Sequence, residues 1–223
     1  MDDNLLFRIA TWLIPLVFAI VFHEIAHGWV ANAFGDPTAR RRGRLSPNPI
    51  KHVDPVGTVA LPMVLAIAGA PIFGWAKPVP VVASRLRNPR HHMMLVALAG
   101  PGMNFLLALV AALGLALLAR AAPLPQSFAT AFLLANLQNF LLINVFLGVF
   151  NLLPIPPFDG GHVVEGLLPR RLLPGYQRVA RFGFPLVIFL LVFLPMTAPD
   201  ANIAERIVVP PVRAILGIFA AFF

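Results

Sequence analysis

The stretch Ile9-Ala10-Thr11-Trp12-Leu13-Ile14-Pro15-Leu16-Val17-Phe18-Ala19-Ile20-Val21-Phe22 runs without a charge into His23-Glu24-Ile25-Ala26-His27. An apolar run of this kind reads as a membrane helix, and three ionisable side chains inside one are expensive. Insertion scales put a charged residue at the helix centre at roughly 2.5–3.5 kcal/mol. A membrane chain keeps such groups where something within the protein offsets that cost. The HExxH spacing names a candidate, because positions i and i+4 set both imidazoles on one helical face. A zinc ion held by His23 and His27 would have Glu24 beside it as general base. A single histidine on an apolar face is ordinarily a hydrogen-bonded core group. Two histidines with a glutamate in one membrane segment point to a metal.

The composition supports a membrane setting. The chain has 223 residues, 59% of them hydrophobic and 12% charged, against about 25% charged in ordinary globular proteins. Several apolar stretches approach or exceed the roughly 20 residues that cross a bilayer. We therefore expect an all-α polytopic membrane protein forming a single domain over residues 1–223, with about five to six transmembrane segments. Cysteine is absent, which excludes disulfides and Cys-type zinc or iron–sulfur sites and leaves His, Asp or Glu to hold any metal. The net charge of +8 gathers in short loops between apolar runs, as the positive-inside rule expects, and so argues against nucleic acid as a partner. Only Arg8 precedes the first apolar run, and Asp2 and Asp3 give the wrong flank for a cleaved signal peptide.

Working outward, the first long segment covers about 4–34, with HExxH in its later half. A turn at Gly35-Asp36-Pro37-Thr38 leads to Arg40-Arg41-Arg42-Gly43-Arg44. The apolar stretch 56–73 is broken by Gly57, Pro62, Gly69 and Pro71, and Gly74-Trp75-Ala76-Lys77-Pro78-Val79-Pro80-Val81-Val82 reads as extended, because prolines two apart exclude a helix interior. Long helices are expected at about 91–120 and 127–153, a short one at 161–168, and two further apolar segments at 179–196 and 206–223. The basic loops at 35–54 and 74–90 both belong on the cytoplasmic side, which favours a re-entrant excursion at 56–73 and leaves a full span as the alternative. The N-terminus then lies outside, with Arg170, Arg171, Arg178 and Arg181 inside.

A catalytic zinc takes three protein ligands and keeps a fourth position open. Asp159 is the outstanding third candidate: it follows Pro154-Ile155-Pro156-Pro157-Phe158 and precedes Gly160-Gly161, an irregular turn at the end of an apolar helix. The alternative is that Asp159 only caps the helix that follows. The topology offers a check. His23, His27 and Asp159 share one side of the membrane only if one full crossing separates their helices, which the re-entrant reading provides.

Phe22-His23-Glu24-Ile25-Ala26-His27-Gly28, with Asn151-Leu152-Leu153-Pro154 and Pro157-Phe158-Asp159-Gly160-Gly161, resembles the site-2 protease family of intramembrane zinc metalloproteases, in a compact form without a PDZ or CBS domain. Gly100-Pro101-Gly102-Met103-Asn104 resembles the family's glycine-rich motif, and the Gly74–Val81 stretch its membrane-associated strand region. The resemblance implies a three-helix catalytic core at about 4–34, 91–120 and 127–165, an insertion at 35–90 and C-terminal helices at 176–223. It implies one Zn2+ per chain on His23, His27 and Asp159, Glu24 as the base, and transmembrane protein substrates in the lipid bilayer. Asn151 matches the position that steadies substrate or its oxyanion; a helix–helix hydrogen bond is the alternative. Val79, Val81 and Val82 are candidates to hold an unwound substrate by main-chain pairing.

Gly100 and Asn104 read more readily as close-packing and interhelical hydrogen-bonding groups than as catalytic ones. His91 and His92 sit at a helix entrance, His52 and Asp54 lie in a polar loop, and His162 is near enough to Asp159 to support it. Trp12, Trp29 and Trp75 pack or anchor at interfaces. A metal transporter using the same ligands is the competing class, but its ligands should spread along a pathway. An inactive scaffold is the other, against which the intact His, Glu, His and Asp set argues.

Overall fold

The computed structural model describes residues 5–67, 75–121, 127–197 and 203–221, and among them it is helical without strands. Among the described residues three helices are long and apolar enough to cross a membrane: α1 (Leu5–Ala33), α2 (Pro89–Arg120) and α3 (Phe128–Asn151). At 29, 32 and 24 residues and 1.5 Å per residue they run about 36–48 Å, beyond the roughly 30 Å hydrocarbon layer. Ser127 starts α3 by accepting the Thr130 N–H on its hydroxyl.

The three helices pack on one another with small and polar residues inward and large apolar ones outward. Ala108, Ala111 and Ala112 are buried with Leu141 and Val145, while Trp12, Phe18, Leu117 and Phe128 are exposed. That arrangement inverts a water-soluble bundle and suits a lipid surround, where close backbone approach replaces the hydrophobic drive. Proline in α1 shows the same accounting. Pro15 has no N–H to offer the Thr11 carbonyl one turn back, and the Asn139 amide of α3 donates to that carbonyl at 2.8 Å.

The chain between α1 and α2 is short helical turns and irregular backbone. The apolar excursion has a π-helical turn at Pro55–Ala60 running into the helix Leu61–Ile67. Asp54 opens it by accepting the N–H groups of Val56 and Gly57. The Trp75 N–H donates to the Gly57 carbonyl at 3.1 Å, and the Thr58 hydroxyl donates to the Trp75 carbonyl at 2.8 Å. Residues 57 and 75 are thus neighbours, whereas a full crossing would separate them by about 30 Å. Gly69, Pro71 and Gly74 lie outside the described residues, as do Asp2, Asp3 and Asp200.

One expectation changes. Residues 75–82 form no strand; the prolines at 78 and 80 remove every second donor of a ladder, and the segment is held by side chains and one backbone carbonyl instead. The apolar segments at 179–196 and 206–223 are helical where described: Gly183–Ile188 passes through a π-helical turn, Phe189–Phe193, into Leu194–Thr197, and Ile203–Ile207 precedes Val209–Ala220. The last of them, α5 (Val209–Ala220), brings Val212, with Val208 just before it, against the alanines of α2. Between α3 and α5 lies α4 (Asp159–Leu167), which packs on α2.

Candidate metal centre

His23 and His27 are one turn apart on the buried face of α1, and the two rings meet edge to face with centroids 4.6 Å apart. Each ring is fixed from behind. His23 Nδ1 faces Asn104 Oδ1 at 2.6 Å, and His27 Nδ1 faces the Val96 carbonyl at 2.7 Å. Both partners are acceptors, so each Nδ1 carries the proton and each Nε2 presents a lone pair. Val96 precedes the break that Pro101 makes in the ladder of α2.

The two Nε2 atoms are 3.0 Å apart. Asp159, the first residue of α4, brings Oδ2 to 3.1 Å from His23 Nε2 and Oδ1 to 3.4 Å from His27 Nε2. Phe158 occupies the cap position and no side chain caps the helix; the Asp159 carboxylate turns to the histidines. Asp159 Oδ2 is buried without a hydrogen-bond donor. Three acceptors converging in a buried pocket repel one another unless a cation lies between them. Zinc bonds of roughly 2.0–2.2 Å in tetrahedral geometry put ligand atoms about 3.3–3.5 Å apart, close to the separations here. His23, His27 and Asp159 are the group of residues, among those described, able to hold a metal ion. When the histidines carry protons instead, burial works to raise the Asp159 carboxyl, but their hydrogen bonds and charge hold it down to about 2.

Gly100 makes this packing possible. A Cβ there would lie 2.5 Å from His23 Cε1, His27 Cε1 and His27 Nε2, so any side chain on that turn of α2 would displace the imidazoles. Gly28 plays the same part on the other face of α1, where a Cβ would meet Leu45, with Val79 at 3.0 Å and Ala39 at 3.1 Å.

Glu24 Oε2 accepts the Val79 N–H at 2.6 Å. This contact ties the irregular segment 77–82 to α1 beside the two histidines. Three more anchors hold it: Lys77 N–H on the His52 carbonyl, Arg44 Nη2 on the Lys77 carbonyl at 2.6 Å, and Val82 N–H on Asp36 Oδ2 at 2.6 Å. Asp36 is fully buried. Burial alone would raise its carboxyl, but the Thr38 hydroxyl, the Val82 and Thr38 N–H groups and nearby Arg85 hold it below its ordinary value.

The other sequence candidates fall elsewhere. Asn151 donates Nδ2 to the Leu147 carbonyl of its own helix at 3.0 Å. His162 pairs with Glu165 at 3.6 Å, His52 Nε2 donates to the Ser46 carbonyl, and His92 stacks on Phe34. Sequence reasoning passed over Asn144, Asp36 and Arg44. Asn144 had a legible signal, a polar residue inside an apolar helix; Asp36 read as a turn and Arg44 as loop charge. The Val96 carbonyl carries no side-chain signal at all.

A family model described as Peptidase family M50 matches residues 11–135 and 120–194. "Putative zinc metalloprotease YwhC" of Bacillus subtilis is 38% identical over 190 residues, 82% of this chain and 79% of that protein. "Putative zinc metalloprotease Rip2" of Mycolicibacterium smegmatis is 34% identical over 189 residues, 82% of this chain and 66% of that protein. The Rip2 protein of Mycobacterium tuberculosis (strain H37Rv) is 34% identical over 199 residues, covering 87% and 68%. No solved structure gives a significant match.

Proposed function

The chain belongs to peptidase family M50, and from that premise we propose that it is an intramembrane protease, hydrolysing peptide bonds within or near the transmembrane helices of other membrane proteins. Its cofactor is zinc. His23, His27 and Asp159 would hold one ion per chain, leaving the fourth position open to water. Zinc, when bound, supplies Lewis acidity that lowers the pKa of water from about 15.7 towards about 7. Glu24 then receives the proton of the attacking water on its carboxylate and passes it to the leaving amine, while the scissile carbon goes from amide to acid. The convergence of three buried acceptors beside Glu24 is the observation that carries this reading.

A substrate helix hides its peptide groups in i to i−4 bonds and must unwind before attack. The 77–82 segment is the proposed platform. Val79 and Val82 already spend their N–H groups on Glu24 and Asp36, which leaves Val81 as the residue with main-chain groups to pair. Asn151 is the proposed oxyanion donor, and in that role it gives up the Leu147 carbonyl. The proposed topology keeps the N-terminus outside, the 56–73 stretch re-entrant and the centre towards the cytoplasmic side.

The test is zinc stoichiometry and cleavage of a model transmembrane substrate by the purified chain and by Glu24→Gln. We expect the variant to keep zinc and lose cleavage. Undiminished cleavage by the variant overturns the assignment of Glu24, and a wild-type chain that binds no zinc overturns the centre.

A further inference from the structure

Asn104 and Asn144 are both fully buried, on α2 and α3. Asn144 Nδ2 donates to the Phe140 carbonyl at 2.8 Å, which turns Asn144 Oδ1 outward to α2. Asn104 Nδ2 donates to that oxygen at 2.9 Å and to the Ala19 carbonyl at 3.3 Å. With its amide nitrogen fixed on those two acceptors, Asn104 has only Oδ1 left to face His23 Nδ1, 2.6 Å away. Each amide sets the orientation of the next, and the series ends on an imidazole. An amide free to flip would present NH2 to the ring and drive its proton to Nε2, the atom that must stay bare.

We infer that Asn144 is a positioning residue for the metal centre: through Asn104 it locks His23 in the tautomer that offers Nε2 to a cation. The inference rests on the zinc reading above. It also separates the two histidines. His27 is held by the backbone of α2, which substitution cannot remove, whereas His23 depends on two replaceable side chains contributed by two different helices. The relay therefore couples the packing of α3 against α2 to the ligand on α1, because sliding either helix breaks the Asn104–Asn144 bond before it touches the metal.

The test uses the full chain with zinc as the only added ligand, competed against a chelator, together with 15N NMR of the His23 ring in the zinc-free protein. Losing a partner behind a metal-bound histidine typically costs about 10–100-fold in metal affinity. Asn104→Leu should fall within that range and Asn144→Leu near its lower end, at about 10-fold. Asn144→Asp keeps an acceptor for Asn104 Nδ2 and should bind more tightly than Asn144→Leu. Asn139→Leu, which removes a different hydrogen bond between α3 and α1, should leave zinc affinity unchanged. In the wild type the His23 ring should carry its proton on Nδ1, and in Asn144→Leu an Nε2-protonated form should appear. Equal zinc affinity in Asn144→Leu and wild type overturns the relay, as does an equal loss in Asn139→Leu. A wild-type His23 protonated on Nε2 overturns it without any variant having to fold. Failure of the wild type to bind zinc would instead defeat the metal assignment, and the ring protonation would still decide the relay.

Discussion

The metal pocket and the 77–82 segment tied to α1 beside it are built on opposite terms. The pocket sits on α1, α2 and α4, with each imidazole pinned from behind by a buried partner and Gly100 letting α2 close on both rings. The 77–82 segment has no ladder and no helix. It is suspended from four separated groups, Glu24, Asp36, Arg44 and the His52 carbonyl. Metal ligands must be preorganised within fractions of an ångström, so they belong on packed helices. In its proposed role as a platform for an unwound peptide, the segment has to leave backbone groups unspent, so it cannot complete a sheet of its own. Among the described residues Glu24 is the side chain that joins the two regions.

That sharing makes Glu24→Gln the sharpest cut. Cleavage should drop by at least about 100-fold, the usual scale for loss of a general base, with zinc content unchanged by metal analysis. Loss of zinc in this variant would mean that the two regions are not separable.

Gly100→Ala should strike the pocket alone. Its Cβ would overlap both imidazoles, and overpacking of this kind costs about 1–3 kcal/mol. Zinc affinity should fall sharply, while protease nicking within 77–82 stays at the wild-type rate.

Asp36→Ala and Arg44→Met should do the reverse. Each removes a part-buried, charge-assisted hydrogen bond to the segment's backbone, a loss of about 1 kcal/mol. Limited proteolysis should reach residues 77–82 faster and KM for a transmembrane substrate should rise, with zinc affinity held. A parallel loss of zinc would show that the segment helps to build the pocket.

Acid should separate the regions through Asp36. Its folded carboxyl titrates below the ordinary 3.8, so its hold on Val82 is complete above that value. The contribution is lost as pH falls from 3.8 through the lower folded value. Exchange of the Val82 amide should quicken over that range, and Asp36→Asn should abolish the pH dependence.

The smallest effect belongs to neither region. Asn139→Leu leaves the Thr11 carbonyl bare beneath Pro15, and interhelical hydrogen bonds in membrane proteins average about 0.6 kcal/mol. A thermal shift of about 1–2 °C without change in zinc affinity or cleavage is expected.

Much of this was legible in the chain. A charge-free run ending in HExxH fixes a membrane helix with two imidazoles on one face, because the helical period is local. The glycine, proline and aspartate pattern at 154–161 marks an irregular turn bearing a carboxylate for the same reason. Length and hydropathy likewise marked α1, α2 and α3. Extended backbone at 75–82 was legible from its prolines, but its anchors were not: Asp36 and Arg44 lie 30 or more positions away in sequence. Only the tertiary structure decided which partner stands behind each histidine, since a side chain 81 positions from His23 and a backbone carbonyl 69 positions from His27 are brought there by helix packing. Local chemistry names the candidate ligands; which nitrogen they offer depends on groups that meet only when the helices close.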